Sequence, residues 1–131
     1  MSNLKKYKVD AAFKDCSVTL EVDHDKLTTE RAREHLRFWS GAEAMIDDED
    51  RDAVRAAIRD FGVNAMYHML GDLGASFSGG YQAERWSKEL REMEGYGGED
   101  GTPHGWIGIR VLAADAESPG WDDCELEESA Q

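Results

Sequence analysis

Alternating hydrophobic and polar residues predict two strands at the start of the chain. Between Cys16 and Asp23 every second residue from Val18 onward is hydrophobic and the residues between are polar. A period of two is typical of a strand with one buried face. Residues 7–12 show a less regular version of the pattern. The pair Lys14-Asp15 between the two segments favours a turn, so we expect the strands to be antiparallel.

A block of helices is predicted next, because hydrophobic residues now recur at every third or fourth position. Residues that cap a first turn and glycines that end a last turn suggest the boundaries. The predicted helices run from Thr28 or Thr29 to Gly41, from the acidic run Asp47–Asp50 to Phe61, from Asn64 to Gly71 or Gly74, and from Tyr81 to Glu94. Gly62 is expected to break or kink the second helix.

The end of the chain returns to strands after a glycine-rich segment. Residues 95–105 contain five glycines and a proline and are predicted to be a loop. Alternation resumes from Trp106 to Ala113, and a last strand is predicted from Trp121 to Glu127. The order ββ-ααα(α)-ββ predicts an α+β domain with one antiparallel sheet of about four strands and helices on one face. We expect a single domain over residues 1–131, frayed at about 1–4 and 129–131.

The charge balance excludes several classes of protein. The 131 residues include 28 Asp or Glu and 15 Lys or Arg, which gives a formal net charge of −13. Direct binding to nucleic-acid phosphates requires a dense basic surface and is therefore not expected. The longest hydrophobic run is far shorter than the ~20 residues of a membrane span, and no hydrophobic segment follows the N-terminal lysines. We expect a cytoplasmic protein.

Acidic residues concentrate in two places, the run at 47–50 and the last seventeen residues, which contain seven acidic and no basic residues. One interpretation is that these residues only keep the surface soluble. The other is that both clusters form one negative face that binds a basic surface, such as the channel in which a protein holds DNA or RNA. The predicted partner-binding residues are Asp47, Asp48, Glu49, Asp50, Trp121, Asp122, Asp123, Glu125 and Glu127.

Catalytic and metal-binding patterns are weak. Asp23-His24-Asp25 has suitable ligand types for a metal, but a solvated turn between strand and helix explains it better. His35 lies on a hydrophobic stripe and is expected to be a core histidine. His104, in the glycine-rich segment, is the histidine expected to be available for chemistry. The acidic run does not fit a calcium loop, because Ala53 stands where the turn glycine belongs. We therefore expect no catalysis, no metal and no cofactor.

Cysteines and tryptophans indicate little about function. Cys16 and Cys124 are expected to be reduced, half-buried thiols. Trp39 and Trp86 fall on helical stripes and are expected in the core. Trp106 and Trp121 flank the predicted C-terminal strands, where either packing or an exposed interface is consistent with the pattern.

Several segments together resemble a family of phage and bacterial proteins, the domain of unknown function 2528. They are Tyr7-Lys8-Val9, Val18–Asp25, Phe38-Trp39-Ser40-Gly41 and Phe77-Ser78-Gly79-Gly80. The family has no known catalytic residues, so the resemblance assigns no role to any position here. Its members resemble accessory proteins of phages and other mobile elements, which implies anti-defence activity of the anti-CRISPR type.

The leading hypothesis is therefore a non-enzymatic inhibitor whose acidic face binds a basic protein, such as a CRISPR-associated complex. An alternative is an assembly module that forms a homo-oligomer through an edge strand and exposed tryptophans. An unrecognised enzyme that uses His104 or His24 is a third hypothesis.

Overall fold

Eight elements follow one another along the computed structural model, which describes residues 3–11, 16–38, 41–72, 74–93, 95–117 and 126. They are β1 (Leu4–Ala11), β2 (Cys16–Asp23), α1 (Thr29–Leu36), α2 (Ala42–Asp48), α3 (Ala53–Gly71), β3 (Gly74–Ser78), α4 (Gly80–Arg91) and β4 (Ile109–Glu117). The strands form one sheet in the order β1-β2-β4-β3, and every neighbouring pair is antiparallel. The predicted α+β class and four-stranded antiparallel sheet are confirmed.

The core lies between one face of this sheet and the helices. The hydrophobic residues of β2 are fully or almost fully buried, as their period of two predicts. The buried residues of β4 do not follow a simple alternation, because Ile109 and Val111 are odd-numbered whereas Ala114 and Ala116 are even-numbered. A register shift opposite Thr19 and Leu20 inserts one extra residue in β4. Such a bulge lets both halves of the strand bury the same face.

Helix α4 completes the edge of the sheet where β3 ends. Strand β3 pairs with residues 113–117 of β4 and leaves the first half of β4 without a neighbour on that side. Ser87 of α4 lies beside this half, and its hydroxyl accepts a hydrogen bond of 2.8 Å from the backbone N–H of Val111. Gly79, just before α4, donates its backbone N–H to the carbonyl of Leu112 at 2.7 Å. Side chains and a turn thus replace a strand along this edge.

Strand β3 was not predicted from the sequence, whose pattern indicates a helix end and a turn there. Its sequence is Gly-Ala-Ser-Phe-Ser, which contains no β-branched residue. Its last two residues, Phe77 and Ser78, pair with Ala114 and Ala113 of β4, so the pairing is non-local. The strand predicted at Trp121–Glu127 lies outside the described residues, except for Leu126.

The helix boundaries differ from those predicted around the acidic run. Thr28 caps α1 as expected, since its hydroxyl accepts from the backbone N–H of Arg31 at 3.2 Å. Gly41 has a left-handed backbone (φ 84°), but it precedes the short helix α2, which the hydrophobic pattern did not predict. The acidic run therefore ends α2 instead of starting α3. Asp52 caps α3, accepting from the backbone N–H of Arg55 at 3.1 Å.

Gly62 does not break α3, which continues from Ala53 to Gly71 as one helix. A Cβ atom at position 62 would lie 2.4 Å from Cγ2 and 2.7 Å from Cβ of Val9 in β1. The glycine is therefore needed for the close approach of α3 to β1, and it costs the helix about 1 kcal/mol relative to alanine. The predicted break at Gly62 was wrong, because a glycine in a helical pattern can serve packing.

We predict that Gly62→Ala destabilises the protein by about 1–3 kcal/mol, because the new methyl group overpacks the contact with Val9. The free energy of unfolding from urea titration measures the effect. Adding Val9→Ala should recover part of the loss in a double-mutant cycle. A gain of about 1 kcal/mol for Gly62→Ala, as helix propensity alone requires, would contradict the packing account.

Candidate functional site

The acidic run lies on an ordered turn between α2 and α3. Asp50 and Arg51 both have left-handed backbones, with φ of 56° and 64°. Non-glycine residues adopt this conformation at an energetic cost, which local contacts must offset. The backbone N–H of Arg51 donates to the carbonyl of Ile46 at 2.9 Å, closing the end of α2. These contacts set the path of the backbone through the turn.

Arginines of the same segment pair with two of the four acidic residues at positions 47–50. Arg51 forms an ion pair of 2.5 Å with Asp47. Glu49 accepts from Arg55 at 3.2 Å and from Arg59 at 2.9 Å. These basic side chains are more than half exposed, so each pair adds little stability. The pairs lower the negative potential of the turn.

Asp48 and Asp50 are the two remaining acidic residues of the run. Both are exposed, and within the part of the chain that the structure describes neither forms an ion pair. The other predicted partner-binding residues lie outside the described residues: Trp121, Asp122, Asp123, Glu125 and Glu127. A single acidic face built from both clusters therefore stays a prediction.

His104 is buried and engaged, in contrast to the expectation that it is available for chemistry. It is 7% exposed, and its Nε2–H donates to Oε1 of Glu21 at 2.9 Å. Arg110 donates to the same oxygen from Nε at 2.9 Å. Burial raises the pKa of Glu21, but the hydrogen bond from His104 and the charge of Arg110 outweigh it and hold the pKa below its ordinary value. The cluster fixes the glycine-rich segment to the sheet.

His35 is a core histidine, as predicted, and it joins three parts of the fold. Its Nδ1–H donates to the carbonyl of Gly95 at 2.7 Å, and its Nε2 lies 2.9 Å from Oδ2 of Asp60 in α3. The hydroxyl of Tyr96 donates to the same carboxyl oxygen at 3.4 Å. Burial, followed by the charge of Asp60, raises the pKa of Tyr96. These bonds hold α1 and the start of the glycine-rich segment against α3.

The side chain of Arg91 is a second anchor of the glycine-rich segment, and no sequence pattern singled it out. It is 3% exposed, and its Nε and Nη2 donate to the two carboxyl oxygens of Glu99 at 2.5 and 2.7 Å. Its Nη1 donates to the carbonyls of Pro103 at 2.9 Å and of Ile109 at 3.2 Å. Because a buried guanidinium must be paired, Arg91 holds the segment between α4 and β4.

Other contacts hold the same segment in place. Lys26 contacts Asp100 and donates to the hydroxyl of Thr102 at 2.7 Å. Arg31 lies 4.8 Å from the ring centre of Trp106, which is partly buried. Gly97 has a φ of 81°, and a Cβ there would lie 2.2 Å from the indole of Trp106. The loop predicted from its glycines is therefore a fixed part of the fold.

The Asp23-His24-Asp25 segment forms a turn between β2 and α1, as expected. Oδ1 of Asp23 accepts from the backbone N–H of Asp25 at 3.0 Å, and Nε2 of His24 lies 2.8 Å from the hydroxyl of Tyr7. The three side chains do not converge on one point. Across the described ranges, no group of three or more His, Cys, Asp or Glu side chains is arranged to hold a metal ion.

Trp86 lies in the core, as its position on a helical stripe predicts, and Cys16 is more deeply buried than the half-buried thiol that was expected. Cys16 is 4% exposed and Trp86 is 4% exposed, and both belong to the core. Cys124, Trp39 and Trp121 lie outside the described residues. The expected reduced state of the thiols therefore stays a prediction.

A comparison with protein families matches residues 17–126 to the family described as "Protein of unknown function (DUF2528)". The chain belongs to this family. The resemblance inferred from sequence motifs is thus confirmed, and the matched range includes the acidic run and the glycine-rich segment of this DUF2528 chain. No solved structure matches it. None of the helices in the described ranges combines the length and the hydrophobicity that a membrane span requires.

Two curated phage proteins are similar to part of the chain. Protein ea10 of Escherichia phage lambda is 44% identical over 47 residues. The lambda prophage-derived protein ea10 of Escherichia coli O6:H1 (strain CFT073) matches equally well. The match covers 36% of this chain and 38% of each relative. The similarity therefore links a DUF2528 chain to phage proteins over a minor part of their lengths.

The Glu21 cluster predicts how stability depends on pH. The pKa of Glu21 is lower in the folded chain than the ordinary value of about 4.3 in the unfolded chain. The contribution of the Glu21 carboxylate to the free energy of unfolding is therefore fully present above pH ~4.3, and it is lost as the pH falls through the pKa that Glu21 has in the folded chain. We predict that Glu21→Gln lowers the free energy of unfolding by about 1–3 kcal/mol at pH 7, and that this difference shrinks towards pH 3.

Chemical denaturation of both proteins between pH 7 and pH 3 measures this difference. Glu34→Gln is the matched control, because Glu34 is exposed and lies on α1, away from the cluster. It should leave the free energy of unfolding nearly unchanged at every pH. A Glu21→Gln difference that stays constant or grows down to pH 3 would show that the charged carboxylate is not the stabilising species.

Proposed function

We propose that the protein is a non-catalytic, phage-type accessory protein that binds a host nucleic-acid-handling defence complex and inhibits it. The acidic turn between α2 and α3 would contact the Lys and Arg side chains with which that complex holds nucleic acid. Carboxylates on a fixed turn can occupy such a surface in place of phosphates, and complementary charge speeds the encounter. We propose a CRISPR-associated complex as the target.

The observation that carries this proposal is the exposure of Asp48 and Asp50 on an ordered, strained turn. A flexible acidic segment would lose conformational entropy on binding, whereas this turn is already arranged. The turn is closed by the hydrogen bond from the backbone N–H of Arg51 to the carbonyl of Ile46, which sets its backbone before any partner binds. The similarity to phage proteins supports a role in phage infection, where inhibition of host defence is useful to the phage.

The buried ionisable groups support a non-catalytic role. Glu21 is bonded to His104 and Arg110, and Arg91 is bonded to Glu99. Each of these contacts fixes a piece of backbone, and all of them hold the glycine-rich segment or the sheet. Groups engaged in this way are less available to move protons to or from a substrate.

The edges of the sheet give less support to the alternative of a homo-oligomer formed by strand pairing. The exposed edge strand β1 carries Lys5, Lys6 and Lys8, and all three are exposed. Lysines on an edge strand oppose pairing with a second copy, because like charges would meet. The other edge strand, β3, has five residues and offers a short surface for pairing.

Charge reversal at the acidic turn tests the proposal. Asp48→Lys/Asp50→Lys should weaken capture of nucleic-acid-binding proteins from an Escherichia coli lysate by at least about tenfold, and duplex DNA should displace the proteins that the unmodified chain captures. The matched control, Glu34→Lys/Glu92→Lys, changes the net charge equally at exposed positions on α1 and after α4. The control should capture normally, and thermal unfolding should confirm that both variants are folded.

Inhibition is measured by the plaquing efficiency of a CRISPR-targeted phage on cells that express each chain. The unmodified chain and the control should restore plaquing, and the charge-reversed variant Asp48→Lys/Asp50→Lys should not. Equal capture of nucleic-acid-binding proteins by the charge-reversed variant and by the control would contradict binding through the acidic turn. Failure of the unmodified chain to restore plaquing would contradict a CRISPR-associated target.

A further inference from the structure

Both ring nitrogens of His35 face hydrogen-bond acceptors in the core, where the residue is 1% exposed. Nδ1 lies 2.7 Å from the carbonyl oxygen of Gly95, and Nε2 lies 2.9 Å from Oδ2 of Asp60. A backbone carbonyl has no proton to donate, so Nδ1 carries a hydrogen. Because a neutral imidazole has a single N–H, a neutral His35 would have no hydrogen left for the bond to Asp60.

The carboxyl group of Asp60 accepts hydrogen bonds from its other neighbours. Nδ2 of Asn64 donates to Oδ1 of Asp60 at 3.1 Å and to the backbone carbonyl of Asp60 at 2.9 Å. The hydroxyl of Tyr96 donates to Oδ2 at 3.4 Å. Donors on both oxygens favour the ionised carboxylate. Since Asp60 is 6% exposed, its negative charge requires a positive partner.

The two hydrogen bonds of the His35 ring therefore require one hydrogen more than a neutral histidine and an ionised aspartate hold together. Without it, a lone pair of Nε2 would face a lone pair of Oδ2 at 2.9 Å. With the hydrogen on Nε2, His35 is an imidazolium that donates to Gly95 and to Asp60. The same proton gives the buried carboxylate its positive partner.

Titratable groups contact His35 from α3 and from the glycine-rich segment. Asp60 belongs to α3, and Tyr96 belongs to the segment, where its ring centre lies 4.8 Å from that of His35. Burial, followed by the charge of Asp60, raises the pKa of Tyr96, so its hydroxyl stays neutral and adds no charge to the pair. The charge of the imidazolium is therefore what holds α1 and residues 95–96 to the carboxylate of α3.

We propose that the His35–Asp60 pair is a pH-sensitive switch, which takes up a proton as the chain folds and holds α1 and residues 95–96 less firmly to α3 when that proton is lost. In the unfolded chain a histidine is neutral above pH ~7.5, because its ordinary pKa is about 6.5. The folded chain then holds one proton more than the unfolded chain, so stability falls as the pH rises. The switch is independent of the proposed function.

NMR of the ¹⁵N-labelled full chain locates the proton. At pH 8 we expect long-range ¹H–¹⁵N correlations to show a hydrogen on both Nδ1 and Nε2 of His35. The exposed His68 is the internal control and should show the spectrum of a neutral ring at the same pH. An Nε2 of His35 without a hydrogen at pH 8 would overturn the proposal. This measurement needs no variant, so it stays decisive where a variant fails to fold.

Asp60→Asn removes the need for the proton, because the amide of the new side chain can donate to Nε2 of a neutral His35. Chemical denaturation gives the unfolding equilibrium constant at pH 7.5 and at pH 8.5. Over this interval the constant of the unmodified chain should rise about tenfold more than that of Asp60→Asn. His68→Gln, a change at an exposed position of the same helix, should keep the pH dependence of the unmodified chain. Equal pH dependence of the unmodified chain and a folded Asp60→Asn variant would overturn the switch.

Discussion

The buried guanidinium of Arg91 is the constraint on which the glycine-rich segment depends. A charge that is 3% exposed is tolerated only when its donors are bonded, and Arg91 bonds to Glu99 and to two backbone carbonyls. These bonds bring residues 99–109 against α4 and β4. His104 can then reach Glu21 on the sheet, and Trp106 can pack on Gly97. A segment with the composition of a flexible loop thereby becomes part of the scaffold.

Local sequence patterns predicted the parts of the fold that local physics determines. The alternation in β2, the Thr28 cap and the hydrophobic stripe that contains His35 all act within a few residues of the chain. The missed features depend on distant partners. Strand β3 forms only through its pairing with β4, and Gly62 is required only because Val9 lies against it. The buried position of Arg91 depends on the carboxylate of Glu99 and on the carbonyls of Pro103 and Ile109.

The candidate site was predictable from composition only in part. Four consecutive acidic residues mark position 47–50, but their sequence does not show that Arg51, Arg55 and Arg59 fold back on two of them. Trp86 follows an ordinary helical stripe, and the lack of an acceptor for its buried N–H is visible only in three dimensions.

Native-state hydrogen exchange of the amides in residues 95–109 tests the central claim most directly. The backbone N–H groups of Gly98, Trp106 and Ile109 are hydrogen-bonded to Arg91, Gly98 and His104. If the segment belongs to the scaffold, these amides exchange about as slowly as those of β2, because their hydrogen bonds break only when the core unfolds. Exchange close to the rate of an unstructured peptide, while β2 stays protected, would show that the segment is an independent flexible loop.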